Sequence, residues 1–466
     1  MINNKIFIYI SYISEKLNYN TYLIGGYVRN YFLFKKKSLD IDIVTTGNSI
    51  KLAKLFAKKI FSNNIFFFKR YKTAIVKYNN YNIEFVSTRK EYYNIYNNKP
   101  YIKILNSIKD DQYRRDFTIN SIAISLNKKN YGKIIDPFNG LNDFKKKIIK
   151  TPIDPNITFN DDPLRMIRAI RFSCQLNFKI DKNTKKAIKN NIDRIRIISI
   201  ERIIQEFNKI LLTKKPSIGL KLMFKFGFLY FILPEFISFK GNNIINGYSY
   251  KDNFIHSLKV IDNIKTNNIW LKWAALLHDI GKPVCKKFIT NKGWTFNCHE
   301  IIGSNMIPYI FHKLKLPMKN NMKYVQKIIK YSSKPISLSK KNVKKSTIKK
   351  FIYEIGEVKD IIKLCYSDIT TNNKIKKKKL IHKINKLFKR IKKIKKKENI
   401  NNIKIPINGN DILNTFDIKP SKKIGIIKKY IKNNIIKGKI INNYKNAYKL
   451  MIKKGKKLKL KLKNEN

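Results

Sequence analysis

The chain has 466 residues, enough for roughly two to four domains, and 43% of them are hydrophobic, as in an ordinary globular protein. Lys and Arg number 100 against 30 Asp and Glu, a formal charge of +70, which excludes a neutral surface and points to a polyanionic partner, nucleic acid first. Lys, Asn, Ile, Tyr and Phe are also the residues of AT-rich codons, so genome composition raises the charge by itself and motifs must decide the function.

In chain order, the N-terminal segment reads as an amphipathic helix rather than a signal peptide, because no small-residue cleavage site follows its apolar stretch. Tyr22 to Ile24 is a short apolar strand, Gly25-Gly26 breaks it, and Val28 to Phe34 opens a helix. Asp40 to Val44 alternates polar and apolar residues, the period of a strand with one wet face. Thr73 to Tyr78 and Tyr81 to Thr88, joined at Asn79-Asn80, form a hairpin. The polar, Tyr- and Asn-rich stretch 90–113 reads as a loop. From Asp161 apolar residues recur at spacings of three and four, so the rest is mostly helical. Composition breaks at 238–252, and again at 373–400, where lysine runs fit a charged helix and a disordered tether equally well. A last unit spans 404–452, and the tail from Lys453 is expected to be disordered. No run of ~20 apolar residues exists, so no membrane span is expected. Cys174, Cys285, Cys298 and Cys365 form no CxxC pair, which suits a reduced, cytoplasmic chain.

Chemistry concentrates first at Asp40 and Asp42. Residues i and i+2 of a strand share a face, so both carboxylates can hold one divalent cation, and Mg²⁺ prefers carboxylate, phosphate and water oxygens. Asp-x-Asp alone is common on solvated surfaces. Gly25-Gly26 upstream lets backbone N–H groups approach a phosphate at a helix start, and Arg29 can fork onto phosphate oxygens. The plain alternative for the glycines is a turn. Further on, Asp162 precedes Pro163 and can simply cap a helix, while Arg165, Arg168 and Arg171 can be no more than a basic face. In the second half, His256, His278-Asp279, His299 and Asp368 form an imidazole and carboxylate set fit for a metal, or a packed core scaffold.

These motifs, in this order, resemble the class II CCA-adding enzymes and bacterial poly(A) polymerases. Gly25-Gly26-Tyr27-Val28-Arg29 with Asp40-Ile41-Asp42 is similar to the family's head motif, and Arg114-Arg115-Asp116-Phe117-Thr118-Ile119-Asn120 to its second motif. Asp136-Pro137-Phe138-Asn139-Gly140 stands where the family has its Asp-Pro-x-x-Gly turn. Asp161 to Phe172 is similar to its base-recognition helix, and Glu201-Arg202 with Glu206 and Pro234-Glu235 to its helical neck. Two departures stand out: Asn30 where the family has Asp, and Asp161-Asp162 where Glu-Asp is common. The His256 to Asp368 set resembles HD-type phosphohydrolase domains, and residues 406–428 the C-terminal tail of the same enzymes.

The resemblance implies an α+β chain with a small mixed-sheet head on a long helical body. It divides into a catalytic head at 1–150, a neck for base recognition and RNA binding at 151–240, an HD domain at 245–372, a lysine-rich linker at 373–403 and a tail unit at 404–466. It further implies transfer of CMP and AMP from CTP and ATP to the 3′ end of tRNA. Mg²⁺ would sit on Asp40 and Asp42. Glu84 occupies the place of a third acidic group, with a cross-strand partnership with Arg89 as the alternative. Gly25, Gly26, Arg29, Arg114, Arg115, Asp116 and Asn120 would hold the nucleotide, and Asp162, Arg165, Arg168 and Arg171 would read its base. A second divalent metal (Mn, Ni, Zn or Fe) would be held by His256, His278, Asp279 and Asp368, with His299 as an outer candidate. A poly(A) or A-adding product, or an RNA-binding scaffold with only the HD site active, are the competing readings. The retained 90–113 segment favours an enzyme able to add A. Oligomeric state is not legible in the sequence.

Overall fold

A computed structural model of the chain describes every residue except 1–3, 35–37, 95–96, 105–106, 239–251, 291–292, 341, 398–404, 437–438 and 464–466. The fold is α+β and divides into two compact units, Met1–Ile237 and Ser238–Asn466.

The first unit opens with α1 (Lys5–Lys16), whose Asn4 side chain caps it by accepting from the Ile6 N–H. Then follow β1 (Thr21–Ile24), α2 (Gly26–Phe34), β2 (Asp40–Thr45), α3 (Ser49–Lys59), β3 (Ile65–Phe68), β4 (Thr73–Tyr78) and β5 (Tyr81–Ser87). β6 (Arg89–Asn94) and β7 (Asn97–Ile104) make a separate antiparallel hairpin, and α4 (Ile108–Tyr113), α5 (Thr118–Ser121), β8 (Ala123–Ser125) and β9 (Ile134–Ile135) complete the head. The main sheet has seven strands in the order β3-β4-β5-β2-β1-β8-β9, with β2 and β5 parallel and the other pairs antiparallel.

Strand alternation separates core from chemistry. Ile41 and Ile43 of β2 are buried with Leu52, Ala53 and Phe56 of α3 and Phe7 and Ile10 of α1. Asp40 and Asp42 therefore stand on the opposite face. The helical part follows: α6 (Gly140–Lys146), a two-residue β10 (Ile148–Ile149), α7 (Pro155–Asp161), α8 (Leu164–Leu176), β11 (Lys179–Ile180), α9 (Lys182–Asn190), α10 (Ile200–Leu211) and α11 (Pro216–Lys225). The Asp136 turn is a fitted joint. Its carboxylate accepts from the N–H groups of Gly140 (2.7 Å) and Leu141 (2.9 Å), and a Cβ on Gly140 would stand 2.4 Å from the Thr118 carbonyl oxygen.

Two expectations change and one open alternative is decided. The stretch 90–113 is the β6–β7 hairpin followed by α4, not a loop; tyrosine has high strand propensity, which polarity alone conceals. Of the two readings of the lysine-rich segment, the structure has the helix, Lys374–Lys397, on a buried stripe of Ile384, Leu387, Ile391 and Ile394 at helical spacing. The tail from Lys453 is not disordered at its start, because the helix Tyr444–Lys457 carries through it and buries Ala447 and Met451 with Ile412, Phe416, Ile427 and Leu460. Gly455 lets the Phe416 ring lie against that helix, since a Cβ there would stand 2.0 Å from the ring. Most of the break at 238–252 falls outside the described residues.

Candidate functional site

In the first unit, Asp42 and Glu84 are register partners across the parallel β2–β5 pair, one strand apart on the wet face of the sheet. Both line a cleft of about 380 Å³ together with Arg89, Arg115, Asp162 and Arg165. Burial raises the Asp42 carboxyl above its usual range and Asp40 adds to this, while Arg115 and the Gly26 N–H hold it back. Burial likewise raises Glu84, and the neighbouring Asp42 raises it further. Asp42 and Glu84 thus face one cleft as neighbouring carboxylates, and their hard oxygens suit a divalent cation. Asp40 is exposed at the strand's start and accepts a hydrogen bond from Asn82 Nδ2 at 3.0 Å.

Gly25 joins the sheet to this site. It has φ of +78°, and a Cβ there would stand 2.3 Å from Asp42 Oδ2 and 3.1 Å from Arg115 Nη1. The Gly26 N–H, at the start of α2, donates to Asp42 Oδ2 at 3.4 Å. The glycine pair thus allows a positively polarised backbone to close on the carboxylate, which no side chain at Gly25 would permit.

Beneath the cleft a chain of buried polar groups links the sequence motifs. Arg29 Nη1 donates to Asn120 Oδ1 (2.8 Å), and Asn120 Nδ2 donates to Asp116 Oδ1 (2.8 Å). Arg168 Nε donates to Asp116 Oδ2 (2.8 Å), and Arg171 pairs with Glu206, which also accepts from Lys209 at 2.9 Å. Burial pushes the Asp116 carboxyl up, but Arg168 and Asn120 outweigh it and bring it down to about 2. Burial and the neighbouring Arg171 bring the Arg29 guanidinium down to about 10. Arg29 does not line the cleft. Its Nε and Nη2 hold Asn30 Oδ1 at 3.1 and 2.9 Å, and it lies over the Phe172 ring. The Arg29 guanidinium is thus taken up by Asn120 and Asn30 and ties α2 to the second motif and α8. It also gives Asn30 a partner that explains its place.

The start of α8 brings Asp162, Arg165 and Arg168 into the same cleft as Asp42 and Glu84. Asp162 Oδ1 accepts from the Leu164 N–H (3.2 Å), as a cap would, and its Oδ2 pairs with Arg202 Nη2 (3.0 Å). Arg165 Nη2 donates to the Arg114 carbonyl at 2.7 Å, so it also holds the second motif. Arg171 lies outside the cleft lining, against Glu206 and the Phe172 ring. Two groups of the site are not legible from the motifs. Arg202, which the resemblance places only in the neck, lines the cleft. Asp111 is fully buried and pairs with both Arg114 and Arg115; its spacing of three and four residues before them on one helical turn was the available signal.

In the second unit, His256, His278 and Asp368 offer ligand atoms within 4.8 Å of one another, among the described residues the group that can close on a metal ion. His278 Nδ1 faces the Ala275 carbonyl (2.9 Å), and its buried Nε2 has no hydrogen-bond partner and lies 3.4 Å from Asp279 and 3.5 Å from Asp368. His256 Nε2 is 2.9 Å from Asp368, and His299 Nε2 is 3.6 Å from Asp279. Lys282 pairs with Asp279 at 2.6 Å. Burial pushes the His278 ring down, but Asp279 and Asp368 reverse this and raise it to about 9. The buried orphan Nε2 and the converging carboxylates fit a divalent cation. Rigid placement comes from the apolar helix Ile269–Leu277, which ends at His278.

Residues 21–150 match the poly A polymerase head domain, residues 177–240 the probable RNA and SrmB-binding site of polymerase A, and residues 253–377 the HD domain. The chain is 37% identical to the CCA-adding enzyme of Lactobacillus helveticus over 196 residues, 42% of this chain and 47% of that one. It is 40% identical to the A-adding tRNA nucleotidyltransferase of Aquifex aeolicus over 172 residues, 37% of this chain and 20% of that one. The matched stretch thus spans about half or less of these curated relatives' length. A solved CCA-adding enzyme in complex with ATP shares the fold at a TM-score of 0.61 and 22% identity, covering 96% of this chain and 94% of that one.

Proposed function

We propose that the chain, which matches the poly A polymerase head domain, the RNA-binding segment of polymerase A and an HD domain in that order, is a template-independent tRNA nucleotidyltransferase. It adds or repairs the 3′ CCA end from CTP and ATP. The observation that carries this reading is the single cleft in which Asp42 and Glu84 face Asp162, Arg165 and Arg202. Acidic groups suited to a metal and an acceptor–donor set suited to a base edge stand in one space.

Asp40, Asp42 and Glu84 would hold Mg²⁺, which suits their hard oxygens and, when bound, offsets phosphate charge and lowers the pKa of an attacking hydroxyl. Arg115, steadied by Asp111, would hold the triphosphate, and the Gly26 N–H holds the Asp42 carboxylate beside it. Asp162 accepts from the base and Arg165 donates to it, so protein replaces a template. A bidentate contact of this kind discriminates by about 1–3 kcal/mol. Arg165→Ala is therefore expected to raise UMP or GMP incorporation as well as slow the reaction. If it slows while keeping strict C and A choice, Arg165 acts only through the Arg114 and Thr158 carbonyls that it holds. A product limited to A is the second reading, favoured by the likeness to the A-adding enzyme of Aquifex aeolicus. Incubation of CC-ended tRNA with ATP alone, and of tRNA lacking CCA with CTP alone, separates the two.

The HD residues form a second site in the same proposal. His256, His278, Asp279 and Asp368 would hold a divalent cation, and imidazole nitrogens suit Zn, Ni, Mn or Fe better than Mg. Such an ion supplies an activated water for phosphate-ester hydrolysis, for example of a damaged 2′,3′-cyclic end. Elemental analysis of the purified full chain is expected to give about one such metal per chain, lost in His278→Ala; content unchanged by that substitution sinks the assignment. A cytoplasmic location goes with these substrates, and no described helix is long and apolar enough to cross a membrane.

A further inference from the structure

The face of the head sheet that carries Asp42 and Glu84 does not end at the cleft. Cross-strand partners share a face. Asp42 pairs with Glu84, Glu84 with Ile75 and Ile75 with Phe66, so one row of side chains runs from the carboxylates to the edge strand β3. Val44, Val86, Thr73 and Phe68 form the next row. Phe67, between them, belongs to the other face, where its partner Ala74 is buried in the core. Phe66 and Phe68 are left 48% and 47% exposed. From Asp42 to Phe66 is three strand spacings, roughly 14 Å.

Two further features tie this aromatic pair to the cleft and to a polyanion. Arg89 lines the cleft, and its Nη1 donates to the Tyr71 carbonyl (2.6 Å) and lies 3.4 Å from the hydroxyl of Thr73, the partner of Phe68. Lys77, on the same face of β4, places its Nζ 5.3 Å from the Phe66 ring centroid. Between Asp42 and Glu84 the chain holds eight Lys and Arg and no acidic residue. Exposed rings set among cations suit single-stranded nucleic acid, because every base has a face to stack and phosphates follow the charge.

We propose that Phe66 and Phe68 form a stacking platform for unpaired bases of the RNA substrate, on the same sheet face as the carboxylate cleft and continuous with it through Arg89. The proposal rests on RNA being the partner and adds where its unpaired end is held.

The test places a reporter on the platform. Phe66→Trp is titrated with a hairpin RNA bearing a short single-stranded 3′ tail and with the same hairpin cut blunt, each against the parent chain. Saturable quenching of the added indole by the tailed RNA, absent with the blunt one, is expected. The double variant Phe66→Ala, Phe68→Ala should bind the tailed RNA at least about tenfold more weakly and the blunt RNA as before. No quenching, or equal weakening for both RNAs, overturns the platform. Quenching that follows protein concentration without RNA also overturns it, since the edge strand would then be pairing with a second copy. Nucleotide addition by the parent chain is measured on the same tailed RNA. Addition without quenching removes the platform alone; quenching without addition keeps it and removes the transferase reading.

Discussion

Asp42→Ala is expected to lower nucleotide addition by roughly three orders of magnitude or more, because several kcal/mol of charge stabilisation depend on the ion that this carboxylate holds, and each 1.36 kcal/mol is tenfold in rate. Asp42 is the central carboxylate of the proposed set: Glu84 is its register partner one strand away and Asp40 precedes it on β2, so its loss would leave the ion without its middle ligand. RNA affinity should hold or rise slightly, since the change removes negative charge from a basic chain. Single-turnover addition and filter binding on the same preparation check both halves. Addition within tenfold of the parent would remove Asp42 from the chemistry.

Asp116→Ala is expected to cost about 3–5 kcal/mol of stability in the first unit, the usual consequence of leaving one partner of a buried ion pair alone. Asp116 anchors Arg168, Asn120 and the Phe117 N–H at once, and Arg29 depends on Asn120. The three tryptophans, Trp270, Trp273 and Trp294, all lie in the second unit, so urea unfolding of the head is followed by far-UV circular dichroism instead. A loss under about 1 kcal/mol would make Asp116 an ordinary surface-type pair. The pH dependence has a definite sign. The Asp116 pKa is about 2 in the folded chain against 3.8 ordinarily, so its contribution is present above about pH 4 and is lost as pH falls toward 2.

Much of the head's site was legible because its spacing is local. Asp40 and Asp42 two apart in an alternating strand, and Gly25-Gly26 at a strand end, state their geometry within a few residues. What stayed hidden depends on distant partners. Arg29 looked like a phosphate ligand, since nothing nearby shows that Asn120, ninety-one residues on, takes its guanidinium. Asp111 reads as one more polar residue of α4 until its carboxylate is seen between two arginines. Asp162, in the joint between α7 and α8, meets Arg202 of α10, a packing that no period reveals. The β6–β7 hairpin was read as loop because Tyr and Asn carry polarity and strand preference in opposite senses. The aromatic strand Ile65–Phe68 has no alternation, and only its register beside β4 separates the two rings on the carboxylates' face of the sheet from the one on the opposite face.

The most direct test of the central claim is the product itself. Purified chain is incubated with tRNA lacking its last three nucleotides, Mg²⁺ and all four nucleoside triphosphates, and the extended 3′ ends are sequenced. The expected result is addition of C, C and A in that order, ending after the third nucleotide. Ends left unextended, or extended by runs of A or by all four nucleotides, would contradict it.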